Sequence, residues 1–282
     1  MAVMWSIAHE RDDPTEWDVV RPKRIDRVAG TDMAGFGIRD LTALRLVPNP
    51  TVMLALEFGP GRPVVEHADG RRQRGSLVAG LGFGVGGSVR IRGEDVECVQ
   101  VRLSPVVSRA VLGVCPADLD GAVVALDDLW GREASRVRER LGATSSWEER
   151  FALVNELCMR RHESGPSVDP EVLRVWERIV TGRGSIRVDR LADEVGWSRK
   201  RLWSRFNSQI GLPPKRAARL VRFDRVVRRL VAGEGAARAA ADGGYADQAH
   251  LCRDVLAFTG TTPTGVAGEP WLTVDDLAWP AA

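Results

Sequence analysis

The chain has 282 residues, 44% of them apolar and 28% charged, with a formal net charge of +2. That length predicts two domains with ample material for their cores, while no stretch approaches the roughly 18 apolar residues of a membrane span. The first ten residues lack the basic-then-apolar pattern of a signal peptide, and Cys98, Cys115, Cys158 and Cys252 form no CxxC pair, which favours reduced thiols in a cytoplasm over a disulfide frame or a zinc site.

In chain order, residues 1 to about 50 read as irregular, with turns at Asp12-Asp13-Pro14, Arg21-Pro22-Lys23-Arg24 and Pro48-Asn49-Pro50. Val52 to Phe58 is a strong strand candidate, and Val64 to His67 is placed to pair with it through Gly59-Pro60-Gly61. Ser76 to Leu81, Ser88 to Arg92 and Val96 to Leu103 follow as further strands. The last alternates, with Val99, Val101 and Leu103 on one face and Gln100 and Arg102 on the other. Helices are expected at Pro105 to Leu112, Arg132 to Leu141 and Trp147 to Arg161, with a turn at Ala125 to Trp130. Ser146 is placed to cap the third helix, and Glu148 and Glu149 suit its positive end. Gly165-Pro166 closes a first unit, 1–165, and 166–184 is a linker built around a helix from Pro170 to Thr181.

The region 185–266 differs in charge from the rest. It holds 15 Lys and Arg against 8 Asp and Glu, a net of +7, so the remainder carries −5. A basic unit joined to an acidic one suggests a polyanionic partner for the basic half. The same region repeats one pattern. Ala192, Gly196, Trp197, Ser198, Leu202, Phe206, Gly211 and Pro214 recur as Ala240, Gly244, Tyr245, Asp247, Leu251, Val255, Gly260 and Pro263. A repeat at near-constant spacing marks a duplicated supersecondary unit. In each copy a small residue lets two helices approach, a glycine suits the left-handed turn, and Ser198 or Asp247 stands where an N-cap is needed. This is the layout of a helix-turn-helix, with a long basic helix from Pro214 to Ala232 joining the copies. A short tail, 267–282, follows; its Trp271 and Trp279 could pack back on the fold, and nothing in it carries chemistry.

Other motifs are weaker. Gly82-Phe83-Gly84-Val85-Gly86-Gly87 matches GxGxxG, but a strand rather than a helix is expected after it, so it reads as a glycine-rich connection. Asp127-Asp128 and Asp118/Asp120 read as caps and turns. Trp130, Trp147 and Trp176 read as core residues. His9, His67, His162 and His250 are widely separated, and no nucleophile motif occurs. No catalytic centre and no cofactor are therefore expected.

Residues 185–266 resemble the DNA-binding domain of the AraC/XylS family of bacterial transcription regulators. The resemblance is carried by Leu191-Ala192, Gly196-Trp197-Ser198, Leu202, Phe206, Gly211 to Pro214, Gly244-Tyr245, Asp247-Gln248, Arg253 and Phe258 to Pro263. The strand pattern and the repeat together predict an α+β chain: an N-terminal, mostly antiparallel β domain with helices, followed by an all-α domain of two helix-turn-helix units joined by a long helix, and the resemblance implies the same fold for the second domain. It implies that Lys200, Trp203 and Ser204 in the first unit, and Gln248, Ala249, Cys252 and Arg253 in the second, face the bases. Arg199, Arg201 and Arg205 flank the first set, and Lys215, Arg216 and Arg219 would at most hold phosphates. Ser204, Ala249, Leu251 and Val255 depart from the residues common in the family, which weakens the second unit most. Val101 to Pro105, Leu112-Gly113, Leu126 to Gly131 and Trp147 to Phe151 resemble the N-terminal domain of actinobacterial AraC-like regulators, which implies effector sensing or dimerisation. The implied partners are double-stranded DNA, a small-molecule effector, a second copy and, for an activator, RNA polymerase, with no membrane. The competing reading is a DNA-repair or modifying enzyme carrying such a domain. It requires a cysteine cluster for zinc or a Pro-Cys-His-like nucleophile, and neither Cys98 nor Cys115 has that setting.

Overall fold

The computed structural model describes residues 17–23, 27–84, 88–119 and 121–279. The expected turns at Asp12 to Pro14 and at Arg24, Asp120, and the 85–87 part of the glycine-rich motif lie outside those residues. The strands are β1 (Trp17–Val20), β2 (Thr31–Leu46), β3 (Val52–Glu57), β4 (Val64–Glu66), β5 (Arg72–Arg74), β6 (Leu77–Ala79), β7 (Val89–Leu103) and β8 (Val123–Ala125). They form one antiparallel sheet in the order β1-β2-β7-β3-β6-β8, with β4 paired to both β5 and β7.

Three strand expectations change. The region read as irregular contains β2, a 16-residue strand running antiparallel to β7 from Thr31↔Leu103 to Leu46↔Val89. Its glycines look like breakers in sequence, yet Gly35 is needed for packing: a Cβ there would overlap the Trp147 ring. Ser88 to Arg92 and Val96 to Leu103 belong to a single strand that continues through Gly93, Glu94 and Asp95. β4 pairs with β7 rather than β3, because the turn after β3 bonds back to β7 (Gly61 N–H to Asp95 O, 3.1 Å) and carries the chain past it.

Both faces of the sheet are covered, which hides its alternation. On one face Met33, Leu54, Leu56, Val99, Val101 and Leu103 pack against helices α1 (Pro105–Leu112), α2 (Leu126–Trp130), α3 (Arg132–Gly142) and α4 (Trp147–Ser164). Ser146 caps α4 as expected, accepting from Glu149 N–H at 3.2 Å. The same apolar cluster continues without a gap into the helical region. That region comprises α5 (Pro170–Thr181), α6 (Val188–Glu194), α7 (Arg199–Ile210), α8 (Pro214–Val231), α9 (Ala236–Asp242), α10 (Gln248–Thr259), α11 (Pro263–Ala267) and α12 (Pro270–Ala278).

The opposite face of the sheet is covered by the C-terminal tail. Val274, Ala278 and Trp279 pack on Ala34, Phe36, Ile38 and Cys98, and Trp271 packs beside Phe83 and Met53. Gln100 and Arg102, placed by their alternation on the polar face, are therefore buried. Arg102 forms an ion pair with Asp275 and lies 4.4 Å from the centre of the Trp279 ring. Fully burying one such large apolar side chain contributes about 1.5–3 kcal/mol, so α12 is a structural part of the β domain.

Candidate nucleic-acid interface

Two pairs of helices, α6/α7 and α9/α10, repeat one geometry around α8. In each, the turn is made by a glycine in the left-handed region: Gly196 at φ +66° and Gly244 at φ +74°. A residue with a Cβ resists that conformation. An aromatic side chain then pins the turn into the core, with Trp197 8% and Tyr245 5% exposed. The second helix of each pair is capped as its sequence predicts. Ser198 accepts from Arg201 N–H at 3.2 Å, and Asp247 accepts from His250 N–H at 2.6 Å. These bonds satisfy N–H groups that a helix cannot satisfy internally.

The inward faces of the two helices explain their apolar spacing. Leu202, Phe206 and Ile210 of α7, and Leu251, Val255 and Phe258 of α10, are buried. The opposite faces are open. On α7, Arg199, Lys200, Arg201, Trp203, Ser204 and Arg205 are all exposed, with Trp203 at 54%. On α10, Gln248, Ala249 and Arg253 are exposed and Cys252 is half-buried. Lys200 corresponds to Ala249, Trp203 to Cys252 and Ser204 to Arg253 in the repeat. Leu256, 57% exposed, extends the Ala249/Arg253 stripe by one turn. The family resemblance does not single it out, although helical spacing from Ala249 and Arg253 points to it.

The charges on α7 oppose helix stability. Arg199, Lys200 and Arg201 occupy the first turn, where the helix dipole is positive, and each cation there costs about 0.3–1 kcal/mol. Local contacts relieve part of this. Arg199 pairs with Asp189 at 3.1 Å, and the Arg201 guanidinium lies 4.6 Å from the centre of the Trp197 ring. Arg205 is held differently, by a two-pronged contact to Asp169 at 2.7–3.0 Å that ties α7 to the start of α5. Burial works against the charge on Asp169, but Gln209 and Arg205 beside it outweigh that and hold its carboxyl below the ordinary range.

The long helix α8 is less available than its composition suggests. Arg219 bonds Asp254 at 2.7 Å, and the Arg222 guanidinium lies 3.8 Å from the Asp254 carboxylate and 4.6 Å from the centre of the Tyr245 ring, so both fasten α10 and the turn before it to α8. Arg228 is shared among Asp224, Asp275 and Asp276, and Arg229 between Glu234 and Asp242. Arg219, read from sequence as a phosphate contact at most, is thus engaged by a buried carboxylate, whereas Lys215 is exposed.

The competing repair reading requires a cysteine cluster for zinc or an activated cysteine nucleophile. Burial pushes the Cys98 and Cys158 thiols up to about 12, so both stay protonated near neutral pH. Cys115 donates its S–H to the Ser208 carbonyl. Among the described residues no group of three or more His, Cys, Asp or Glu side chains could hold a metal ion. No helix there is long and apolar enough to cross a membrane.

The helix-turn-helix domain family matches residues 191–268. No curated protein matches the chain. Solved structures similar to it at low identity include the following three. The apo form of a ToxT point variant from Vibrio cholerae strain SCE256 is 8% identical, over 87% of this chain and 99% of that one, with a TM-score of 0.47. Unsaturated fatty acid-bound wild-type ToxT from the same strain is 9% identical over 87% and 98%, with a TM-score of 0.45. The AraC-like transcriptional activator CuxR is 17% identical over 81% and 89%, with a TM-score of 0.30. Residues 191–268 of this chain are a helix-turn-helix domain.

Proposed function

We propose that this chain is a sequence-specific DNA-binding transcription regulator that lays α7 and α10 into successive major-groove segments on one side of the duplex. The observation that supports this reading is the pair of capped helices whose first two turns face solvent at matching positions. Lys200, Trp203, Ser204, Gln248, Ala249, Cys252 and Arg253 are the base-reading set. Lysine and arginine suit guanine O6 and N7, glutamine suits adenine N6 and N7, and apolar atoms of Trp203 and Ala249 suit the thymine methyl. Arg199 and Arg201 serve base or phosphate. Arg205 reaches phosphate only by giving up Asp169.

The β domain takes the sensing or dimerising role in this reading, with a small-molecule effector and a second copy of the chain as its partners. RNA polymerase is the further partner if the chain activates, and the cytoplasm is its compartment. A gel-shift series on the DNA adjoining its own gene tests the core of this reading. Binding should weaken with salt at a logarithmic slope of roughly −0.9 per phosphate neutralised. Binding that is absent on every fragment, or independent of salt, would sink the proposal.

A further inference from the structure

Both recognition helices end against the β domain, and both do so at backbone carbonyls that the helix itself leaves unpaired. For α7 the contact comes from the segment after α1. The Cys115 thiol donates to the Ser208 carbonyl at 2.8 Å, and the closing Gly211 lies so near Pro116 that a Cβ would stand 2.9 Å from the Pro116 carbonyl oxygen. For α10 the contact comes from β2. Arg45 donates through one terminal nitrogen to the Thr259 carbonyl at 2.7 Å and through Nε to Glu269 at 2.8 Å. The side chains of Arg45 and Glu269 are only 15% and 19% exposed.

The two contacts are not equal in strength. A thiol is a weak donor, whereas a guanidinium at the negative end of a helix makes a charge-assisted bond in the favourable direction. Arg45 is also fixed at its own end, since its backbone pairs with Arg90 in the β2/β7 ribbon. Glu269 immediately precedes α12, which packs on the same sheet. The salt bridges from Arg219 and Arg222 hold α10 at Asp254, near its middle, and Phe258 packs on Phe223 of α8 with ring centroids 4.7 Å apart, while the terminal carbonyl at Thr259 is held from the β sheet by Arg45.

We propose that Arg45 is a positioning residue for DNA reading: it registers the second recognition helix to the β sheet, so that the β domain, and not α8 alone, determines which spacing of the two DNA half-sites the chain accepts. The proposal rests on the reading of α7 and α10 as recognition helices. It also gives the β domain a direct route to the DNA. A partner that shifts β2 against the segment bearing Cys115 would change the spacing the two helices prefer.

The test uses the full chain and a duplex that the wild type selects from a random-sequence pool, together with versions in which one base pair is inserted or removed between the two protected halves. Each such change turns one half against the other by about 35°, given 10 to 10.5 base pairs per turn. The wild type should discriminate strongly against both altered duplexes. Arg45→Ala should bind the selected duplex about tenfold more weakly, within the usual range of coupling between sites, yet lose little on the altered ones. Its discrimination therefore narrows, while protection of the first half persists. Arg45→Lys keeps the charge but cannot engage both partners through one planar fork, and should fall between the two. Wild-type discrimination in Arg45→Ala, or equal weakening on all three duplexes and on unselected DNA, overturns the proposal. If Arg45→Ala does not fold, Arg45→Lys decides, with unchanged discrimination overturning it. A wild type that selects no sequence overturns the DNA reading and this proposal together, whereas selection by a wild type that Arg45→Ala matches overturns this proposal alone.

Discussion

Arg205 of α7 and Asp169 at the head of α5 form a two-pronged ion pair, with N–O distances of 2.7–3.0 Å. A residue that the family resemblance places beside the base-facing set thus also ties the linker helix to the domain. Arg205→Ala should cost about 0.5–1 kcal/mol of stability, since the arginine is half exposed and the pair partly screened. It should leave the ratio of specific to non-specific DNA binding unchanged. Chemical denaturation alongside competition binding checks both halves, and a collapse of specificity would add Arg205 to the base-reading set.

The same pair predicts a pH dependence. Because the Asp169 carboxyl is held below its ordinary 3.8, folding gains from its ionised form. That contribution is present above about pH 4 and is lost as the pH falls through the lowered folded value. Asp169→Asn should therefore flatten the acid limb of the stability curve. An unaltered acid limb in the variant would exclude this carboxyl as a contributor.

In the proposed reading the second unit reads mainly through Gln248 and Arg253, and the Arg253 Nε donates to the Ala249 carbonyl at 3.3 Å. Arg253→Ala should lose about 1–3 kcal/mol of binding and relax preference at one position of the site. Lys215→Ala should instead weaken all sequences alike and lower the salt slope by about one. Titrations on a set of single-base variants separate these patterns.

The two N-caps hold the first turns of α7 and α10, which carry the proposed base-reading side chains. Ser198→Ala and Asp247→Ala should each cost about 1 kcal/mol. Amide exchange should quicken in the first turn of α7 or α10 respectively, with affinity falling in step. An exchange pattern that stays at wild-type rates would show that packing alone holds those turns.

Removing Asp275 leaves the Arg102 guanidinium buried without its partner. Asp275→Ala should destabilise by about 3–5 kcal/mol, whereas replacing both residues by apolar side chains of similar volume should recover much of the loss. Thermal unfolding of the single and double variants decides between this and a merely peripheral tail.

How far the fold could be read depended on where its constraints lie along the chain. The helix-turn-helix units were legible because their constraints are local. A left-handed glycine, a cap and apolar residues at helical spacing each act within a dozen residues, and Gly196, Ser198, Leu202 and Phe206 show all three. The duplication at Gly244, Asp247, Leu251 and Val255 made the reading redundant. β2 stayed hidden because its neighbours bury it from both sides, so Met33 and Phe36 serve different clusters and no alternation survives. Its Gly35 is explained only by Trp147, more than a hundred residues away in sequence.

The sequence by itself determined the class of the C-terminal domain, the positions of its capped helices and which of their side chains point away from the core, because helix periodicity and capping are short-range. Only the tertiary structure decided which cations remain available. Arg205, Arg219 and Arg228 look equivalent to Lys200 or Arg253 in composition, but each meets a carboxylate brought to it from a distant segment. The tertiary structure likewise decided that Gln100 and Arg102 are buried, that the tail completes the β domain, and that Arg45 meets the end of α10. Such partnerships depend on which distant segments come together, and no local pattern records them.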